Sequence, residues 1–586
     1  MFAIDSLWFA KIAEVLHVPE TSIIAELPPK PEMGDIGFPM FPFAKAVKKS
    51  PAEVALFVAE NLSQDAEIAR RGRVAALGPY LNVSLDRGLF AENFLAIDAI
   101  DAIDVIDDNG KNGENAAPKK RALLRGKRIM VEFSSPNTNK PLHLGHLRND
   151  VLGESLARIL RAAGADVRKV CIINDRGIHI CKSMLAYQEL GGGATPESAG
   201  VKSDRFVGDW YVRFHRLAET DKDAENRARE LLRKWEAGDA QTAALWNTMN
   251  GWAIDGIKAT YKRTGVSFDR FYFESGTYLL GKDKIAEGLA DGVFYREEDG
   301  SVWIDLEVEN LGKKALLRRD GTSLYITQDI GTAISRHNDW PFDRLIYVVG
   351  SEQIYHFKVL FSILRKLRFP WAADLYHLSY GMVNLPEGKM KSREGTVVDA
   401  DDLIDELRDL ALAEIREKER EDAVGDPGEV AEKIALGALH YYLQQTSPSK
   451  DMLFNPQESL SFNGNTGPYL QYMGARISSM LKKAGDVREA EPQYGLLSGD
   501  AEWDLLKTAA GFENALTEAA LHYDSSIIAA YCYDLAKSFS RFYHDCPILN
   551  CEDKALAQAR LALSKRTLAV LKDALDLICV PFLETM

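Results

Sequence analysis

Between residues 128 and 160 the chain switches hydrophobic period once, and two histidines stand at the switch. Arg128-Ile129-Met130-Val131-Glu132-Phe133 has the length and apolar content of a buried strand, and Leu147, Val151, Leu152, Ser155, Leu156 and Ile159 then recur at helical spacing. Strands and helices keep alternating from 127 to about 400, with further apolar strand candidates at 167–173 and 344–349. That is the βαβ pattern of a parallel, doubly wound α/β sheet. His143-Leu144-Gly145-His146 lies where the first strand turns into the first helix. Free backbone N–H groups and the positive end of the helix dipole attract anions there. Two imidazoles at that place can donate hydrogen bonds to phosphoryl oxygens as charge builds during a displacement, and the glycine lets a flat base or a phosphate approach the backbone. The chemistry suggested is attack on the α-phosphate of ATP. On the tetrapeptide alone, a helix start with two solvated histidines is the alternative.

At 586 residues the chain is long enough for several domains. Residues 1 to about 105 read as a small α+β domain, with a helical stretch through 43–59 broken at Ser50-Pro51 and a strand pair around Gly78-Pro79. Residues 106–126, with the basic cluster Lys119-Lys120-Arg121, read as a surface linker. The α/β segment spans 127–400, interrupted at about 190–300 by a polar, mostly helical insertion, and 401–586 is nearly all helical, with segments at 402–420, 430–446, 466–483, 502–522, 526–545 and 553–578. The six cysteines form neither a CxxC pair nor a zinc spacing, which suits buried thiols in a reducing compartment. Asp5 stands where a signal peptide would be basic, and no apolar run approaches the roughly 20 residues of a membrane helix. A cytoplasmic location without membrane attachment is expected. The net charge of −15 argues against wholesale nonspecific binding of nucleic acid and leaves room for local basic patches.

A second cationic element closes the α/β segment. Gly388-Lys389-Met390-Lys391-Ser392-Arg393-Glu394-Gly395-Thr396 is bounded by glycines, and its three cations within five residues suit a leaving pyrophosphate. Alone it would pass for a basic surface turn. Together with the histidine block it carries a resemblance. The chain is similar to the class I aminoacyl-tRNA synthetases, and among them it resembles the arginyl-tRNA synthetase family. Residues 131–149 resemble that family's SPN-x-x-K-P-x-H-x-G-H-L-R block. Residues 312–357, with Leu324-Tyr325-Ile326-Thr327-Gln328-Asp329-Ile330 and Tyr347-Val348-Val349-Gly350-Ser351-Glu352-Gln353, resemble its substrate block. Asn465-Thr466-Gly467-Pro468-Tyr469-Leu470-Gln471-Tyr472 resembles its helical-domain signature, and Gly34-Asp35-Ile36-Gly37 and Gly78-Pro79-Tyr80-Leu81-Asn82 its N-terminal extension. One departure stands out. The usual loop is Lys-Met-Ser-Lys-Ser, and here Ser392 falls where the second lysine belongs. The family often shows this, with a lysine just before the HxGH as the substitute. Lys140 stands there, and Lys391 is an alternative stand-in.

The resemblance implies a Rossmann-like catalytic domain, an N-terminal domain that contacts the tRNA elbow and its D-loop, and an all-α anticodon-binding domain. It implies an ATP-dependent arginine–tRNA ligase that forms arginyl-adenylate and pyrophosphate, with activation dependent on tRNA(Arg). Mg2+ would arrive as the ATP complex, with no protein-bound metal, and the chain would act as a monomer. The catalytic residues implied are Lys140, His143, Gly145, His146 and Lys389, and the ATP site adds His356, Met382, Val383, Met390, Lys391 and Ser392.

A guanidinium is planar, always charged and carries a fork of donors, so its pocket needs a buried acid closed by an aromatic ring or an amide. By resemblance Asp329 and Tyr325 fill that role and Glu274 is the second acid. Asn137 and Gln353 meet the α-amino and carboxylate groups, with Glu132 supporting that end. Read singly, Asp329 also fits a helix N-cap, and Tyr325 a core aromatic. Tyr469 and Tyr472, one helical turn apart, with Arg476 on the same stripe, suit stacking on splayed anticodon bases; packing in the core is the alternative. Met586 resembles a C-terminal methionine near the anticodon. Three competitors remain at this point: an HxGH nucleotidyltransferase, which has no use for the helical domain; a catalytically dead RNA-binding relative, against which the intact His143, Gly145, His146 and Lys389 argue; and another class I synthetase, such as a cysteinyl enzyme, which would want zinc ligands.

Overall fold

The computed structural model describes residues 6–96, 123–384, 398–418, 425–485 and 490–586. In the N-terminal part, β1 (Ile36–Pro39), β2 (Gly72–Leu77) and β3 (Tyr80–Leu85) form an antiparallel sheet in the order β1-β3-β2. The expected break at Ser50-Pro51 is a helix start. Ser50 caps the Pro51–Ser63 helix, whose Glu53 carboxylate accepts from the Ser50 N–H at 2.8 Å. This part is tied to the C-terminal helices through Asp35, whose Oδ1 accepts from Trp503 Nε1 (2.9 Å) and Lys507 Nζ (3.1 Å).

The central sheet contains β4 (Arg128–Glu132), β5 (Asp166–Ile173) and β6 (Arg270–Phe273). After a three-stranded antiparallel excursion of β7 (Tyr295–Arg296), β8 (Val302–Leu306) and β9 (Gly312–Leu317), it is completed by β10 (Arg344–Gly350) and β11 (Leu375–Tyr380). All neighbours in the order β11-β10-β4-β5-β6 are parallel. Successive residues face opposite sides. Ile129 and Val131 of β4 join Ile346 and Val348 of β10 in the core shared with the C-terminal helices, and Met130, Leu345 and Tyr347 enter the core on the other face. The order reverses between β4 and β10, and the crevice beyond the carboxyl ends of those strands is where such a sheet binds ligands.

The helical insertion has its own core, with Phe206, Trp210, Phe214 and Met249 buried among the Ser203–Thr220, Ala224–Glu236 and Ala240–Thr264 helices. It ends earlier than the 190–300 expected. From Val170↔Arg270 to Ile173↔Phe273, β6 pairs with β5 as the sheet's edge strand. Its four residues are too short, and too exposed at both ends, to register as an apolar run. The helix expected over 502–522 is two, Asp500–Ala510 and Phe512–His522, separated at Gly511. The C-terminal segment returns to the Leu144–Ala162 helix. Ser155 Oγ donates to the Leu577 carbonyl at 2.7 Å and Arg158 pairs with Asp576 at 2.8 Å. Among the described residues no helix is long and apolar enough to cross a membrane.

Candidate active site

His143 is the N-cap of the Leu144–Ala162 helix. Its Nδ1 accepts from the Gly145 N–H at 3.1 Å, and its own N–H donates to His146 Nδ1 at 3.2 Å. The two rings lie 3.9 Å apart between centroids. Burial, followed by the charge of Lys140, holds His143 down to about 4; burial, then His143 and Lys140, holds His146 well below the ordinary imidazole value. Both rings are therefore neutral near pH 7. With each Nδ1 accepting from the backbone, the single proton of each ring is on Nε2. Two Nε2–H donors are thus set in place before any ligand arrives. Gly145 serves this arrangement differently from the expected approach of a base or phosphate. A Cβ there would stand 3.0 Å from His143 Cε1 and 3.1 Å from its Nδ1, so the space is taken by the histidine ring. Lys140 is half-buried, and its desolvation lowers its pKa.

The backbone leaving β4 is strained. Ser134 and Ser135 both have left-handed φ, 70° and 50°. Asn149 Oδ1 accepts from the Ser134 N–H (2.6 Å), and Ser134 Oγ meets the Tyr261 hydroxyl at 2.6 Å. The Asn149 amide also donates to the Val348 carbonyl and the Tyr380 hydroxyl, joining the exits of β4, β10 and β11. Arg148, fully buried, donates to the carbonyls of Gly381, Met382, Pro448 and Lys450. It fixes the Gly381-Met382-Val383 segment, whose Met382 and Val383 are expected in the ATP site. The Met382 carbonyl is taken up by Arg148 and by the Met452 N–H, and its N–H donates to Asp451 Oδ1. Val383 is buried in β12 (Val383–Asn384), which pairs in parallel with β13 (Met452–Leu453). In that register the N–H and carbonyl of Val383 point away from β13.

The residues expected around arginine fall at the carboxyl ends of the strands. Asn137, half-buried, bridges in parallel to Asn174 after β5. Glu132 is buried in an ion pair with Arg336, so one of its oxygens is engaged by the chain itself instead of being open to an α-amino group. Glu274 opens the Glu274–Thr277 helix after β6; burial above all, opposed by Arg176 and aided by Asp175 and Asp329, raises it to about 7. Asp329 Oδ2 pairs with His356 Nε2 at 2.7 Å, which places the imidazole expected to face the nucleotide on the arginine-side acid. Asp329 is in the second turn of the Tyr325–Asp339 helix, whose N-cap is Leu324, so Asp329 caps nothing. Tyr325, at 71% exposure, is no core aromatic. Gln353, also exposed, is the N-cap of the Ile354–Lys366 helix directly beyond β10. The charge of Asp329 thus reaches both Glu132 and Glu274 across the end of the sheet, a field that suits a cation.

Lys389, Met390, Lys391 and Ser392 lie outside the described residues, as does the basic cluster at 119–121. On the Gly467–Ala484 helix, Tyr469 and Tyr472 are half-buried against the C-terminal core, Tyr469 with its ring 5.9 Å from that of Tyr533, and Arg476 lies over Tyr543 at 4.4 Å. Met586 packs partly buried against the same core. These rings are neither fully exposed nor fully interior. Sequence reasoning missed Tyr261 and Arg336, and gave no separate role to Arg148 and Asn149, which directly follow the histidine block, or to Asp175, which stands in Asn174-Asp175-Arg176-Gly177 at the carboxyl end of the 167–173 strand, a place where such sheets bind ligands.

Residues 113–455 match the family model of the tRNA synthetases class I (R) catalytic domain, beyond the expected boundary at 400; residues 470–586 match the DALR anticodon binding domain, and residues 9–85 the arginyl tRNA synthetase N terminal domain. The chain is 58% identical to an arginine–tRNA ligase of Treponema denticola over 100% of both chains, and 55% identical to one of Treponema pallidum over 99% of both. Among solved structures, Thermus thermophilus arginyl-tRNA synthetase aligns over 100% of both chains at 26% identity with a TM-score of 0.82. The methionyl-tRNA synthetase of Mycobacterium tuberculosis, at 16% identity and a TM-score of 0.51 over 78% of this chain and 91% of that one, shares the fold. On its motifs, its three matched domains and its full-length relatives, the chain belongs to the arginyl-tRNA synthetase family of class I aminoacyl-tRNA synthetases.

Proposed function

We infer that this chain joins L-arginine to tRNA(Arg) in two steps. The arginine carboxylate attacks the α-phosphorus of ATP, forming arginyl-adenylate as the bond to pyrophosphate breaks. A ribose hydroxyl at the tRNA 3′ end then attacks the arginyl carbonyl carbon, and AMP leaves with the bonding electron pair. The observation that carries this reading is the pair of neutral histidines, whose Nε2–H donors suit the equatorial oxygens of a pentavalent phosphorus without transferring a proton. Lys140, close enough to depress both rings, supplies the positive charge that the loop lacks at Ser392. Lys389, Met390 and Lys391 complete the pyrophosphate side, and Mg2+ enters with the nucleotide. The outward-pointing backbone of Val383 suits the adenine edge.

Asp329 and Glu274 receive the guanidinium, closed over by Tyr325, while Asn137 and Gln353 orient the α-amino and carboxylate ends. Glu132 shapes that end through Arg336. The helical domain, 401–586, takes the anticodon with Tyr469, Tyr472, Arg476 and Met586 at its contact face, and the domain up to about 105 takes the elbow. One chain suffices, working in the cytoplasm. Because Ser392 stands where the loop's second lysine belongs and Lys140 must substitute for it, the phosphate site is completed only when tRNA is present.

The test is charging of purified tRNA together with ATP–pyrophosphate exchange. Arginine alone among the amino acids should charge, and exchange should be negligible until tRNA is added. Charging by another amino acid overturns the substrate assignment; brisk exchange without tRNA overturns the coupling.

A further inference from the structure

Glu274 stands on a turn with little behind it. A cavity of about 490 Å³ opens between the Ala240–Thr264 helix and the segment 273–276, lined by Trp246, Asn250, Phe273 and Ser275 among others. A Cβ on Gly276 would meet nothing within 4 Å. On this side packing does little to hold the turn, and two hydrogen bonds hold it instead. The buried carboxylate of Asp175 accepts from the Ser275 N–H at 2.8 Å and from Ser275 Oγ at 2.6 Å. Asp175 is itself fixed. Its backbone carbonyl accepts from Trp246 Nε1 (2.7 Å) and Asn250 Nδ2 (3.1 Å), and the preceding Asn174 carbonyl accepts from the Thr138 N–H at 3.1 Å. The same few residues thus anchor the loop that carries Asn137 and the turn that carries Glu274.

We propose that Asp175 is a positioning residue for arginine recognition, holding the Glu274 carboxylate in place through Ser275. The proposal rests on the reading of Glu274 as a guanidinium partner. Asp175 touches no substrate; it spends both oxygens on the turn and replaces the packing that the cavity omits. Its charge has a second effect. Burial, opposed by Arg176 and aided by Asp175 and Asp329, raises Glu274 to about 7. Removing the charge of Asp175 should let Glu274 ionise at lower pH.

The experiment measures aminoacylation by the full chain with Ser275→Ala, Ser275→Thr, Asp175→Asn and Glu274→Gln, varying arginine, ATP and pH. Ser275→Ala should raise the arginine KM about tenfold, the factor of one hydrogen bond to a charged group, with kcat and the ATP KM nearly unchanged. Ser275→Thr, which keeps the hydroxyl, should restore it. Asp175→Asn should raise the arginine KM and shift the acid limb of kcat/KM for arginine to lower pH, which a merely structural loss would not do. If Glu274→Gln raises the arginine KM while Ser275→Ala and Asp175→Asn leave it unchanged, or move the ATP KM equally, the positioning role is overturned and the Glu274 reading stands. If Glu274→Gln itself has no effect, the underlying reading fails. Should Asp175→Asn not fold, the Ser275 pair decides.

Discussion

Replacing Asp329 by Asn tests the arginine pocket most directly, because the change keeps the shape of the side chain and removes only its charge. The charge of Asp329 reaches both Glu132 and Glu274, and its side chain is 39% exposed in the ligand-free chain. Opposite charges about 4 Å apart attract by about 4 kcal/mol at an effective dielectric of about 20. Solvent at the mouth of the pocket reduces this toward the roughly 1.5–3 kcal/mol of a hydrogen bond to a charged group. A loss of about 2–3 kcal/mol follows, or about 30- to 150-fold in kcat/KM for arginine. The ATP KM should hardly change. The helix should keep its stability, because Leu324, not Asp329, is the N-cap. The assay is steady-state aminoacylation with arginine varied at saturating ATP and tRNA, beside a thermal melt. Citrulline adds a second arm, since it keeps the shape of arginine without the charge. Wild-type enzyme should reject it strongly, and should charge lysine poorly because an ammonium makes no planar two-point contact. Normal arginine kinetics in Asp329→Asn, or ready use of citrulline by the wild type, would refute the idea that Asp329 meets the guanidinium.

Three further outcomes are expected. His146→Ala should lower kcat by about 10²–10³ with little change in the ATP KM, and because His143 is held down to about 4, no inflection near pH 6.5 in the wild-type profile should vanish in His143→Ala. Gly145→Ala should keep or raise the melting temperature, since alanine favours a helix by about 1 kcal/mol over glycine, yet lower kcat about tenfold, because the new Cβ presses on the His143 ring; an unimpaired kcat would show that the ring position is unimportant. Asp150 is buried, neither of its oxygens has a hydrogen-bond partner among the described residues, and burial raises it to about 7. A carboxyl raised in the folded state costs stability as pH climbs from the unfolded value to the folded one, so Asp150→Asn should gain over the wild type between about pH 4 and 7, up to a ceiling of about 4 kcal/mol; a gain that does not grow with pH in thermal melts would contradict this.

In the central sheet, the strands legible in the sequence were the three inner ones, β10, β4 and β5. Residues 129–131 and 345–349 are continuous apolar runs because their alternate residues enter two different cores. Arg270–Phe273 and Leu375–Tyr380 are the sheet's edges, half-exposed and mixed in polarity, and no period marked them. The histidine block was legible because the helix start, the cap and both rings fall within four residues. The support around it was not. Asp175 meets Ser275 across 100 positions and Glu132 meets Arg336 across 204, and a pairing at that separation leaves no mark on local composition. Gly145 was visible as a residue, but its purpose depends on which way the His143 ring turns, which only the folded helix start decides.

The return of the C-terminal segment to the catalytic helix sets a schedule for biosynthesis. Ser155 and Arg158 wait for partners at 576 and 577, and Asp35 waits for Trp503, separations of 422, 418 and 468 residues. At about 5–20 residues per second, roughly 20–80 s pass between emergence of the Leu144–Ala162 helix and synthesis of the segment that covers it. Through that interval one flank of the helix that carries the histidine pair lacks its final cover. Contacts of such long range also slow folding, because loop closure must precede the reward. Nascent chains halted before residue 576 should therefore expose this flank to holdase chaperones and proteases, and full protection should appear only once the last helix has docked.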